Sequence, residues 1–432
     1  MNFRFGLTTA LCIGIQSVCG IPLNAEELQL DLAGEAAVLM NAKTGHVLFQ
    51  KQAHASAYPA STTKIATALY TLSQLSPDEL NRWVVVDAQA LKSASEVEKM
   101  ASKDRLPSYL LEPGGSSLGL QPGETLLLKD LLAGMMISSG NDASNVIAQT
   151  VGGSIPQFLE GLNRYLKEIG CLNTCLLNPH GLHHPNHVTT AWDLAWMAKK
   201  AMDYPQFREW VRQTRFAFPK TEKRASFIKL QTNRLLRPGP FYYSKAIGIK
   251  TGYHRRAKKT LVAAASQEER VLIAVLLRYD DSQTIFRDAI RLFEAAFNQP
   301  KVRKTYLQKG QLAASLDLLR AAIPLRAVAQ SPLFVDGYPS EETKTRCWAV
   351  FRSALTPPIR KGEVVGEARL LSQEKEVMAK VLLVASEDVS LKWPFSWGHR
   401  VSTNWVCYPI WAGVTCGLLC SLGLLSLWRV YL

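Results

Sequence analysis

The alternation of apolar and polar positions begins its first folded segment with two apolar runs, 35–41 and 46–50, separated by Ala42-Lys43-Thr44-Gly45. Two such runs with a glycine at the turn predict a β-hairpin. Pro59-Ala60-Ser61 stops the extended chain, and Ile65, Leu69, Leu72 and Leu75 then recur at helical spacing over 62–75. Residues 88–116 are charged and Ser-rich and run into Gly114-Gly115, which predicts a surface excursion with a short helix. Helices are expected over 126–137, 142–151, 155–169 and 190–201, the last capped by Thr189 or Thr190. Three β-like runs follow at 244–250, 259–265 and 271–278. The unbroken apolar stretch Val271–Leu277 is what a strand buried on both faces requires. An amphipathic helix over 284–297 closes the unit, so helices flank a sheet built from both ends of this segment.

After Gln299-Pro300 the texture changes to short apolar runs cut by Gly, Pro and charged turns, as in Lys361-Gly362-Glu363. That predicts a small all-β domain over 299–391, followed by a linker over 392–404. The two ends of the chain add a further layer. One early Arg, an apolar core from Phe5 to about Gly20 and a small Ala25 before Glu26-Glu27 predict a secretory signal peptide over 1–25. Residues 405–428 carry no charge and are flanked by Trp405, Tyr408, Trp411 and Trp428, which predicts a transmembrane anchor. The folded body would then occupy 26–298 and 299–391, on the outer side of the cell membrane.

Composition sharpens this little. The net charge of +14 favours an anionic environment without choosing among nucleic acid, lipid and wall polymer. Of eight cysteines only Cys171, Cys175 and Cys347 fall in the expected exported body, too few and too oddly spaced for a disulfide framework.

Candidate chemistry begins at Ser61-Thr62-Thr63-Lys64, where an extended entry meets a helix. Ser and Lys three apart on a helix share a face. A hydroxyl becomes a nucleophile when a base takes its proton, and a lysine can be that base only if its amine is neutral. Ser138-Ser139-Gly140-Asn141-Asp142 joins two apolar helices and offers Ser139 and Asn141 to a cleft. Gly248-Ile249-Lys250-Thr251-Gly252 sits at the end of an expected strand. A second cation there could hold a substrate carboxylate and depress Lys64, and Gly252 would let a backbone approach closely.

Each motif alone is weak, but their order is specific. Ser-x-x-Lys, then Ser-x-Asn, then Lys-Thr-Gly resembles the signature of penicillin-binding proteins and serine β-lactamases. The wording around Pro59–Ile65, Met136–Ala143, His180–Leu182, Gly248–Gly252 and Pro358–Gly366 resembles the low-molecular-mass D-alanyl-D-alanine carboxypeptidases over roughly residues 30–390. That resemblance implies a β-lactamase/transpeptidase-like α/β (α+β) domain with a central antiparallel sheet, a small all-β domain and no metal or cofactor. It implies Ser61 as nucleophile, Lys64 as general base and Ser139 as proton relay. Asn141, Lys250, Thr251 and Gly252 would bind substrate, with the backbone of Ser61 and Tyr253 as oxyanion hole and Arg278 as a further carboxylate ligand. The substrates implied are peptidoglycan stem peptides, with β-lactams as covalent inhibitors and no nucleic acid. Tyr253 stands where many relatives carry His.

The competing readings are an endopeptidase or transpeptidase with the same chemistry, a β-lactamase, and an idle wall-binding scaffold. The stretch Asn178–Val188 carries His180, His183, His184 and His187 but no Glu to activate a deacylating water, which counts against a β-lactamase. An intact polar set counts against the scaffold.

Overall fold

The computed structural model describes residues 28–103, 105–341, 345–372 and 375–392, together with the backbone strand 404–409. The expected signal peptide, most of the linker, and 410–428 of the expected anchor lie outside the described residues. The chain divides into two compact units, Ala25–Pro300 and Lys301 onward.

In the first unit the hairpin β1 (Ala36–Asn41) and β2 (Val47–Lys51) precedes α1 (Thr63–Gln74). The short pair β3 (Trp83–Val85) and β4 (Thr125–Leu127) brackets the surface excursion, which holds α2 (Glu96–Ala101). Ser95 and Glu98 close α2 with a reciprocal capping box. Helices α3 (Leu128–Ser138), α4 (Asn141–Gly152), α5 (Ile155–Glu168), α6 (Ala191–Met202) and α7 (Pro205–Arg212) follow. Thr190 caps α6 by accepting from the Asp193 amide at 3.0 Å. A second small hairpin, β5 (Arg215–Phe218) and β6 (Phe227–Leu230), leads to β7 (Ala246–His254), β8 (Lys258–Gln267), β9 (Arg270–Tyr279) and α8 (Thr284–Phe297).

The main sheet has the order β2-β1-β9-β8-β7 and is antiparallel throughout. Its inner strands explain the unbroken apolar runs. Val38, Met40, Val262, Ala264, Ile273 and Val275 face the core shared with α1 and α3–α7. Their neighbours Ala37, Leu39, Leu261, Ala263, Leu272 and Ala274 face a second core under α8. Two buried faces with a period of two leave no polar position in the middle of these strands. β7 is the edge strand, and it runs four residues beyond the expected end, so Lys250, Thr251 and Gly252 lie inside it rather than at its end. Its polar residues made the run look finished, although their backbone continues to pair with β8 through His254 and Lys258.

The second unit is all β. β10 (Val302–Leu307) pairs with β13 (Leu333–Gly337). β11 (Leu312–Leu316), β12 (Leu325–Ala329), β14 (Arg346–Ser353), β15 (Val364–Leu371), β16 (Val377–Ala385) and β17 (Asn404–Pro409) form a six-stranded sheet in the order β11-β12-β16-β15-β14-β17. β17 corrects two expected boundaries. Asn404 was assigned to the linker and Trp405–Pro409 to the anchor, yet these residues pair antiparallel with β14, Ser353 opposite Asn404 and Trp348 opposite Pro409. An uncharged aromatic and β-branched run satisfies the open edge of a sheet as readily as it starts a membrane helix. Among the described residues no helix is long and apolar enough to cross a membrane.

Packing under α8 yields a stability test. Phe293 is fully buried there, with its ring 6.0 Å from that of Tyr243. Phe293→Ala is expected to cost about 4 kcal/mol, lowering the melting temperature followed by circular dichroism by about 10 °C.

Candidate active site

The site forms where a single-turn helix, Ala60–Thr62, runs into α1. Thr62 Oγ1 donates to Pro59 O at 2.7 Å and Thr260 Oγ1 donates to the same carbonyl at 3.0 Å, tying this turn to β8. From the other side, Gly181 backs onto it. Gly181 has φ +94°, and a Cβ there would lie 1.8 Å from Ala60 O, so only glycine fits.

Lys64 is fully buried, and its Nζ meets three oxygens: Ser61 Oγ at 3.0 Å, Asn141 Oδ1 at 2.7 Å and His180 O at 2.7 Å. The amide oxygen and the carbonyl can only accept. They consume two N–H groups, so a neutral amine would turn its remaining lone pair to Ser61 Oγ and accept the hydroxyl proton. Burial and then the charge of Lys250 hold the Lys64 amine well below the usual lysine range, while Asp142 opposes the shift. Lys250, also fully buried, is pushed down to about 7 by desolvation.

The loop between α3 and α4 supplies the third wall. Ser139 ends α3 in the left-handed region at φ +67° and is buried. Asn141 starts α4, and its amide donates to Ser116 O at 2.9 Å. The next residue, Asp142, is nearly inaccessible and accepts from Ser117 Oγ and from the amides of Leu118, Gly119 and Leu120 at 2.5–3.1 Å. One carboxylate therefore fastens the end of the excursion to the helix that carries Asn141.

On β7, Lys250 Nζ donates to Thr251 O at 2.9 Å and Thr251 Oγ1 to Thr232 Oγ1 at 2.8 Å. A Cβ on Gly252 would sit 2.9 Å from Ser61 N and 2.4 Å from Thr260 Oγ1, which shows how closely β7 passes the turn. Tyr253 follows, exposed, with Lys259 Nζ 3.6 Å from its ring centre.

The structure thus joins Ser61, Lys64, Asn141 and the Lys250–Gly252 segment, with Ser139 on the loop beside Asn141. It does not join Arg278 to them. The β1–β9 register sets Arg278 beside Glu35, and its Nη1 donates to Glu35 Oε2 at 2.7 Å, in an ion cluster with Lys258 and Asp280. Arg278 lies on β9, separated from β7 by β8, which sequence spacing could not show.

Sequence reasoning missed three participants: the His180 carbonyl, because any residue carries one, Thr232, which lies in an unremarkable polar loop, and Asp142 as a tether. The histidines are structural partners. His187 Nδ1 accepts from the Leu177 amide, so its Nε2–H donates to Thr63 Oγ1 at 2.8 Å. His180 Nδ1 accepts from the Leu182 amide, so its Nε2–H donates to Tyr109 O at 3.1 Å. Burial pushes His187 down to about 3 and His180 well below its usual value. Among the described residues no group of three or more His, Cys, Asp or Glu could hold a metal. Cys171 and Cys175 are both free, the first buried and the second exposed.

A hydroxyl facing a neutral-prone lysine, with a second ammonium ready for an anion, is equipped for acyl transfer through a serine ester. Comparison narrows the class. The family profile for D-alanyl-D-alanine carboxypeptidases, peptidase S11, matches residues 23–281, and the chain belongs to that family of serine enzymes. The D-alanyl-D-alanine carboxypeptidase DacF of Bacillus subtilis (strain 168) is 28% identical over 386 residues, covering 87% of this chain and 91% of that protein. DacC of Escherichia coli (strain K12), of the same description, is 28% identical over 355 residues, 80% of this chain and 82% of that protein. The crystal structure of the D-alanyl-D-alanine carboxypeptidase DacD from Francisella tularensis aligns with a TM-score of 0.57 at 22% identity, over 84% of this chain and 95% of that one. The Streptomyces K15 DD-transpeptidase aligns with a TM-score of 0.53 at 26% identity, over 62% and 98%. The fold is the mixed α/β arrangement of these proteins followed by a β-rich region.

Two outcomes test the site. Lys64 must be neutral to act as base and Lys250 charged to hold an anion. The second-order rate of acylation by a penicillin is therefore expected to fall toward acid as Lys64 gains a proton. It should fall again above about pH 7 as unliganded Lys250 loses its own. A rate that climbs steadily to pH 10 would contradict that order. Gly252→Ala should lower the melting temperature by about 5 °C, because its Cβ must displace Thr260 Oγ1 and the Ser61 backbone, and should slow the same acylation about a hundredfold through displacement of the Ser61 turn.

Proposed function

We propose that this enzyme removes the terminal D-alanine of peptidoglycan stem pentapeptides by way of an acyl-enzyme on Ser61. Lys64 Nζ takes the Ser61 hydroxyl proton as Oγ attacks the carbonyl carbon of the penultimate D-Ala. The amides of Ser61 and Tyr253 receive the developing oxyanion. Ser139 relays that proton from Lys64 to the departing D-alanine amine, which returns Lys64 to the neutral state, and Asn141 orients the substrate amide. Lys250 and Thr251 hold the terminal carboxylate, with Gly252 admitting the substrate backbone. Water then cleaves the ester and returns Ser61. The observation that carries this reading is the 3.0 Å approach of Lys64 Nζ to Ser61 Oγ, with both other contacts of that amine being pure acceptors.

β-Lactams, which mimic the D-Ala-D-Ala end, would acylate the same serine. The proposed setting is the outer face of the cell membrane, reached through the signal segment 1–25. Anchoring would fall to residues 410–428, beyond β17, whose uncharged length approaches the roughly 20 residues a span needs. A transpeptidase reading has one specific support, the likeness to a DD-transpeptidase at 26% identity.

The test incubates the full chain, in detergent, with a fluorescent penicillin and separately with a stem pentapeptide. Wild type should label covalently and release free D-alanine, and Ser61→Ala should lose both by about a thousandfold or more. Labelling without release, together with transfer to an added amine, would move the activity to the transpeptidase.

A further inference from the structure

The β7–β8 turn, His254-Arg255-Arg256-Ala257-Lys258-Lys259, is the most basic stretch beside the site, and the catalytic proposal leaves it unused. Its geometry is organised. Arg256 Nη1 donates to His183 Nε2 at 3.0 Å, and Nη2 approaches Met100 Sδ at 3.4 Å. An arginine never accepts, so His183 is the neutral tautomer with its proton on Nδ1. Tyr58 packs edge-on against His183 with centroids 4.7 Å apart, and the His254 ring lies 5.3 Å from it. His254 Nδ1 accepts the amides of Arg256 and Ala257, which fixes the turn. The guanidinium is thus held at the edge of a cluster of three rings. One belongs to the residue three before Ser61 and another to the residue two after Gly252. Met100 comes from α2, so the excursion reaches this rim.

We infer that Arg256 is a specificity-determining residue that reads a side-chain carboxylate on the substrate residue preceding D-Ala-D-Ala. The inference rests on the proposed carboxypeptidase pose. With the terminal carboxylate at Lys250 and Thr251 and the scissile carbonyl at the Tyr253 amide, an extended peptide lies antiparallel along the edge strand β7. At about 3.3 Å per residue, the preceding residue falls opposite His254 and the turn, beside Arg256. The local charge selects its chemistry. Arg255 and Arg256 are exposed, and Lys259 lies over Tyr253. Lys258 is already matched by Glu35 and Asp280. The imidazoles of His183 and His254 are held below their usual range chiefly by desolvation, with Glu96 the acid that acts on His183. A carboxylate entering here meets a positioned fork of donors, whereas an ammonium meets like charge.

The test measures competition rather than turnover, using two pentapeptides that differ only in charge. One carries diaminopimelate at the third position and the other its side-chain amide. Each is titrated against Ser61 labelling of the full chain by a fluorescent penicillin, with each variant normalised to its own uncompeted labelling rate. Wild type should be inhibited by the acid about tenfold more tightly than by the amide. Arg256→Gln should bring the two within about twofold, and Arg255→Gln should keep the preference. No preference in wild type, a preference that survives Arg256→Gln, or an equal loss in both variants would overturn the assignment. Because binding is read, failure to release D-alanine would sink the carboxypeptidase reading and leave this result standing on its own.

Discussion

Two lysine side chains buried in one cleft impose the constraint on which the rest of this site depends. Lys64 and Lys250 are both inaccessible, and two ammonium groups in such a setting repel each other and lack solvation. The lower-energy state gives up one proton, and the surroundings decide which. Lys64 feels both burial and Lys250, whereas Lys250 is moved by desolvation. On the proposed mechanism that asymmetry makes one lysine a base and leaves the other a cation.

The neighbouring structure follows from maintaining this arrangement. The Asn141 and His180 oxygens fix the direction in which the Lys64 amine can present its lone pair. Asn141 is held by α4, α4 by the Asp142 tether, and His180 by a loop that His187 ties to Thr63. Gly181 and Gly252 let two backbones close on the Ser61 turn from opposite sides. The sheet supplies rigidity: its inner strands are apolar on both faces through their middles, and the sheet's candidate substrate-binding side chains, Lys250 and Thr251, lie on its edge strand β7.

Much of this was legible along the chain. Periodicity located β8, β9, α1 and α3–α6 because burial on one or two faces writes itself directly into residue order. The order of the three motifs pointed to the cleft because side-chain identity carries that chemistry. What escaped was whatever depends on the backbone or on register. The His180 carbonyl has no sequence signal, and the β1–β9 pairing that gives Arg278 to Glu35 cannot be read from spacing. The polar end of β7 hid a continuing strand. Residues 405–409 read as the start of an apolar span because an open sheet edge and a bilayer favour the same residues. The excursion was visible as a surface segment, but its reach to Arg256 through Met100 was not.

The charge state of Lys64 tests the account most directly. Selectively labelled lysine in the full chain, with the Lys64 resonance assigned from Lys64→Arg, can be titrated by NMR through its Cε and Nζ shifts. The account predicts an amine that is still neutral where Lys250 is already charged, and that takes up its proton only at lower pH than Lys250 does. A Lys64 that stays protonated up to about pH 10, as an ordinary lysine does, would contradict it.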